Sequence, residues 1–183
     1  MSSVELWVTG FDATVDAWNK YGSSPYLDVQ DGSNYVEDND RNNNCGYFTF
    51  NTSTDLGTIT SVYLYMYAYG EATNDFEALI NDTVTGLGPP TTSGWVNIEV
   101  TSIIGTWSAI NSATLLLDRG NTKNVAGCDA AYVLVNYTSG PTPNAFNKLE
   151  FASEPPTGGA WNKVAYDSEP PTTGIFNKVK WKV

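Results

Sequence analysis

Ser61-Val-Tyr-Leu-Tyr-Met-Tyr-Ala-Tyr69 is the stretch whose reading decides the fold of this chain. Side chains of a strand alternate between its two faces, so Val62, Leu64, Met66 and Ala68 share one side and Tyr63, Tyr65, Tyr67 and Tyr69 the other. An aliphatic face backed by an aromatic one predicts a strand in the middle of a sheet, with one side on a core and the other covered or offered to a ligand. What covers the tyrosines is the functional question.

Working outward, further strand-like runs lie at 5–9, 14–18, 26–29, 34–36, 46–50, 59–69, 76–80, 95–100, 113–118 and 131–137, separated by Gly, Asn and Asp. Many short strands at regular spacing predict an all-β, antiparallel jelly-roll β-sandwich over residues 1–137. One helix is expected over 101–108, with Thr101 or Ser102 as its cap and Ile103, Ile104 and Trp107 on one face, plugging an end of the sandwich.

Composition narrows the function. The 183 residues include no His, which removes Ser-His-Asp and Cys-His nucleophile systems and imidazole metal sites together. Acids are plentiful, but no carboxylate pair, metal cluster or phosphate-cradling glycine loop is singled out, so no catalysis is expected. A formal net charge of −11 disfavours nucleic acid, whose phosphates attract a basic footprint. No apolar run approaches the ~20 residues of a membrane span. The opening Met-Ser-Ser shows no secretory leader; one has been trimmed, or none is needed, as in a virion component.

After Tyr137 the chain changes character. Residues 138–152, 153–167 and 168–182 are three copies of one unit, in which Phe146, Trp161 and Phe176 correspond and each precedes Asn-Lys. An aliphatic follows (Leu149, Val164, Val179), then after one residue an aromatic (Phe151, Tyr166, Trp181). This regularity predicts a C-terminal three-strand repeat extension over 138–183, packed on the sandwich or offered to a neighbour. Charge divides with it. Up to Asn147 there are four basic against sixteen acidic residues, a formal −12; from Lys148 onward five basic against four acidic, a formal +1.

The series Tyr21-Gly-Ser-Ser-Pro-Tyr-Leu, Tyr47-Phe-Thr-Phe, Gly57-Thr-Ile-Thr-Ser-Val-Tyr-Leu-Tyr, Trp95-Val-Asn-Ile-Glu-Val-Thr-Ser-Ile-Ile-Gly-Thr-Trp and Tyr132-Val-Leu-Val-Asn-Tyr resembles the jelly-roll modules of the DNRLRE type, related to family 96 carbohydrate-binding modules. In layout it is equally similar to jelly rolls of phage, archaeal viral and archaeal surface proteins. The resemblance spans about residues 10–138 and implies architecture first.

Three sets of residues stand out. Tyr63, Tyr65, Tyr67 and Tyr69, with Phe146, Lys148, Trp161, Lys163, Phe176, Lys178 and Trp181 of the repeats, form the expected interface; the tyrosines alone are equally a glycan platform or a plain tyrosine-rich surface. Asp28, Asp31, Asp38, Asp40 and Asn42 crowd one region, as ligands of a structural Ca²⁺ or as a solvated acidic loop. Cys45 and Cys128 pair as a disulfide or lie buried as two thiols. The expected protein is a non-enzymatic subunit of an extracellular filament, sheath, fibre or virion, partnered by copies of itself or other surface proteins. A carbohydrate-binding adhesion module is the alternative.

Overall fold

The computed structural model describes residues 1–15, 17–38, 40, 43–119 and 124–139. Phe146, Lys148, Trp161, Lys163, Phe176, Lys178 and Trp181 lie outside the described residues, as does Asn42. The described residues are mostly antiparallel β-sheet. In chain order the strands are β1 (Ser2–Asp12), β2 (Asn19–Tyr21), β3 (Tyr35–Asp38), β4 (Asn44–Phe50), β5 (Gly57–Tyr69), β6 (Phe76–Ile80), β7 (Thr83–Leu87), β8 (Gly94–Glu99), β9 (Thr114–Arg119) and β10 (Ala126–Ser139). The boundary expected after 137 falls inside β10, and the compact unit closes at Ser139.

The strands make two sheets. In sheet A, β10 pairs with β5 along nearly its whole length, and β5 pairs with β8. The opposite edge of β10 is shared by β3, by a bridge from Asp28 to Ala130, and by residues 2–7 of β1; β2 pairs beyond β3. In sheet B the order is β1, β4, β9, β6, β7, with β1 contributing residues 8–12. One strand thus belongs to both sheets and turns the corner at a bulge between Val8 and Gly10, a usual device for a strand that switches sheets. A Cβ at Gly10 would run into Thr49 Oγ1, so the crossing needs glycine.

Residues 61–69 behave as their alternation dictates. Val62, Leu64, Met66 and Ala68 are fully buried, and Tyr63, Tyr65, Tyr67 and Tyr69 are half-buried on the other face. The buried row packs into a core with Leu6 and Val8 from β1, Phe48 from β4, Phe76 from β6, Leu115 and Leu117 from β9, and Val133 and Val135 from β10. Each such side chain contributes about 1.5–3 kcal/mol on leaving water.

Several expectations are corrected. The strand expected over 14–18 is not formed by its described residues: a 3-10 turn occupies Ala13–Val15, and Trp18 drops into the core from a bend. Residues 26–29 supply only the Asp28 bridge. The expected helix over 101–108 is two, α1 (Thr101–Ile104) and α2 (Trp107–Asn111). Thr101 does not cap; its Oγ1 accepts from Val62 N at 2.8 Å and donates to Glu99. The helix cap is Thr106, whose Oγ1 accepts from Ala109 N at 3.1 Å. The plug itself is present: Ile104, Trp107 and Ile110 are buried, and Trp107 Nε1 donates to the Gly57 carbonyl. Cys45 and Cys128 are both buried and no disulfide joins them here, and burial pushes the Cys128 thiol upward, away from the reactive thiolate.

Candidate functional site: the aromatic face of sheet A

Register places the four tyrosines among rings from three other strands. Tyr132 of β10 stands opposite Tyr65, and Trp7 of β1 opposite Tyr132; on the other side Trp95 of β8 stands opposite Tyr67. Cross-strand neighbours on one face lie close enough for rings to touch. Tyr65 and Tyr132 stack with centroids 4.9 Å apart and planes 3° from parallel. Trp7 leans on Tyr132 at 4.5 Å. Trp95 meets Trp7, Tyr67 and Tyr132 at 6.2, 5.6 and 5.5 Å, each time at a steep angle, and remains 41% exposed.

A second group continues the face. Tyr69 lies over Gly127, where a Cβ would sit 2.5 Å from the phenol oxygen and 2.6 Å from the Val36 carbonyl oxygen. Glycine there lets the ring cross β10 and donate to Glu37 Oε2 on β3 at 2.6 Å. Tyr35 and Tyr21 stack beside it at 4.4 Å. Nine rings therefore share the outward side of one sheet.

The electrostatics of the face are one-sided. Glu5, Asn97 and Glu99 are exposed on the rows that carry Trp7, Tyr65 and Tyr63, and Glu5 accepts from Trp7 Nε1. Burial, then Glu5, raises the Tyr132 phenol; burial, then the Glu37 hydrogen bond, raises Tyr69. Both stay neutral at physiological pH. Of the described basic side chains, Lys20 alternates with Asn19 and Tyr21 and sits over Phe11, while Arg119 is buried in sheet B. The aromatic face is thus rimmed by carboxylates and carries neither of those cations. Such a surface suits planar or apolar groups, sugar faces and cationic side chains.

The acidic loop residues are dispersed by their own hydrogen bonds. Asp31 Oδ1 accepts from Ser33 N and Asn34 N, which holds its carboxyl below the usual range. Asp38 is buried and accepts from Asn43 Nδ2; Asp28 is exposed; Asp40 presents its carbonyl oxygen to Arg119 Nε. Among the described residues no group of three or more His, Cys, Asp or Glu is placed to hold a metal ion. Asp129, the extra residue of a bulge in β10, instead accepts from Gly32 N with both oxygens.

Sequence reasoning missed a cleft of about 300 Å³ on sheet B, lined by Thr73, Asn74, Phe76, Glu77, Gly86, Gly88 and Asp118. Glu77 and Asp118 face each other across β6 and β9; burial raises the Asp118 carboxyl, and Glu77 accepts from Gly86 N. Two carboxylates from strands scattered in sequence leave no local signature. Trp7, Trp95 and Tyr132 were missed for the same reason: only the register joins them to the tyrosines.

Among known proteins, no family model matches this chain and no curated protein does. No described helix is long and apolar enough to cross a membrane.

Proposed function

We propose that this protein is a non-enzymatic structural subunit of an extracellular or surface assembly, a filament, sheath, fibre or virion, that makes contacts through the aromatic face of sheet A and through its C-terminal repeats. The finer architecture proposed is a jelly roll. Its support is strand order: β1-β10-β5-β8 in one sheet and β4-β9-β6-β7 in the other, with the chain passing repeatedly between them. The observation that carries the function is the set of nine aromatic rings on one outward face. A solvated sheet face ordinarily alternates to polar residues, and aromatic enrichment marks surfaces that meet a partner. The repeats supply complementary chemistry, a lysine two residues after an aromatic in each unit, on a segment slightly positive against a strongly negative body.

Sedimentation velocity of the full chain tests this. Mass is expected to rise with concentration at low ionic strength and to fall back as salt screens the charges. A chain that stays monomeric throughout overturns the reading.

A second reading, carbohydrate binding, is favoured by Trp95. It is 41% exposed, every ring it touches meets it steeply rather than in parallel, and Asn97 and Glu99 follow it on the same face. A sugar stacked on the indole with hydrogen bonds to those two groups fits that layout. Retention on a glycan panel is expected to be lost in Trp95→Ala; retention that survives, or a parent chain that retains no glycan, removes this reading.

A further inference from the structure

We infer that the free edge of β8 is where the assembly proposed above is built, by addition of a repeat strand from a second copy of this chain. The inference rests on the assembly reading and specifies its contact. Strand edges are ordinarily protected from such pairing by shortness, lysine, proline, glycine or bulges. Sheet A ends at β2 on one side and β8 on the other, and sheet B ends at β7. β2 is three residues long and contains Lys20. β7 carries Gly86 at a φ of 80°, and its ladder with β6 shifts register. β8 has only a glycine, Gly94, at its first position: its six residues, GWVNIE, run in unbroken register with β5, and the five from Trp95 to Glu99 contain no glycine, lysine, proline or bulge. Among the described strands none pairs with its other side.

The direction of its backbone groups follows from one bond. Val100 N donates to Val62 O at 2.8 Å, and Tyr63 stands opposite Glu99. In an antiparallel ladder the groups of successive residues alternate in direction. Gly94, Val96 and Ile98 therefore bond to β5, while Trp95, Asn97 and Glu99 turn their N–H and C=O groups to the open side. The core side of the same edge is unfinished, since Val96 and Ile98 are only half-buried and Val84 on nearby β7 is 59% exposed. An added strand must offer apolar residues on one face and groups that suit Trp95 and Glu99 on the other.

The repeat sequence meets both demands. Extended, each unit sets Leu149 and Phe151, Val164 and Tyr166, or Val179 and Trp181 on one side, and Phe146 and Lys148, Trp161 and Lys163, or Phe176 and Lys178 on the other. The first side covers Val96 and Ile98. The second extends the aromatic face and brings lysine to its acidic rim. Strand addition to an exposed edge draws its affinity from main-chain bonds and its specificity from alternate side chains.

Hydrogen exchange of the full chain, read per amide across a concentration series alongside sedimentation, tests the inference. The Trp95, Asn97 and Glu99 amides are expected to slow in step with the rise in mass. Asn97→Pro removes one outward N–H and leaves the β5 ladder intact; it is expected to abolish the mass rise while melting near the parent temperature. Asn97→Lys, an edge-protecting charge, serves the same purpose should the proline variant not fold. Growth in mass with those three amides still exchanging freely overturns strand addition and leaves the assembly reading standing. A monomer with freely exchanging edge amides overturns both. Edge amides protected in the monomer overturn the second-copy partner, because the added strand then comes from the same chain.

Discussion

Trp18→Ala is expected to lower the stability of the folded body by about 3–5 kcal/mol, the range for truncating a buried aromatic and leaving its cavity. Trp18 is 2% exposed, packs edge-on against Phe76 at 5.6 Å, and donates from Nε1 to the Asn43 carbonyl at 3.1 Å. It enters the core from a bend rather than a strand, so no ladder is available to redistribute the loss. The substitution removes the ring, its contact and the partner of a part-buried carbonyl at once. Against a total of about 5–15 kcal/mol for a domain, that brings the variant close to its unfolding midpoint. Urea unfolding reads the result as a lowered midpoint at unchanged slope. Trp18→Phe keeps the ring contact and forfeits the hydrogen bond, and is expected to cost about 1–3 kcal/mol. Equal losses in the two variants would show that the hydrogen bond dominates over the packing.

Asp75→Ala is the second large effect, expected at about 2–5 kcal/mol because it strips buried donors of a charged acceptor. Asp75 is fully buried; its Oδ2 accepts from the Glu71 and Ala72 amides, both at 2.7 Å, and its Oδ1 from Asn124 Nδ2 at 2.9 Å. One carboxylate thereby closes the 71–75 turn and ties it to the residues just before β10. Asp75→Asn retains an oxygen for the two backbone amides, and Asn124 can rotate its own amide to present an oxygen to the new NH₂. It is expected to cost no more than half as much. Thermal melts of the three proteins separate the hydrogen-bonding role from the charge; an asparagine variant as unstable as the alanine one would assign the effect to the charge.

The parts of this fold legible in the sequence are those where local alternation and burial agree. Residues 61–69 declare both faces because β5 is central, and period-two alternation survives wherever one face meets the core. β7 was invisible: TVTGL lies at an edge, exposes Val84 and contains a glycine at positive φ, so no burial imprinted a pattern on it. The start of β10 was unreadable for the opposite reason. Residues 126–131 are nearly all small and fully buried, because Tyr69 crosses above Gly127, and crowding leaves glycine and alanine that resemble a loop. Trp18 misled because an apolar residue after Val15 mimics a strand's alternation. In the candidate site the tyrosines announced themselves, being consecutive on one strand. The rings of Trp7, Tyr132 and Trp95 did not, since which residues share a row depends on register between strands far apart in sequence.

The corner strand bears on how the protein is made. Ser2 to Trp7 find their partners on Tyr137 to Tyr132, so the first strand of the body hydrogen-bonds its last. Such end-to-end pairing slows folding, because the whole intervening loop must close before any reward is gained. On the ribosome residues 2–7, with Leu6 and Trp7, lack their ladder partners until β10 has been translated and has left the exit tunnel, whereas Val8 and the residues after it can already pair with β4. During that interval its edge is open to whatever strand comes within reach, and this is when a chaperone would be needed most. The repeats are translated only afterwards. On the strand addition proposed above, the segments that would add to a sheet edge thus follow behind the body they would add to, an order of synthesis that limits self-capture before the sandwich has closed.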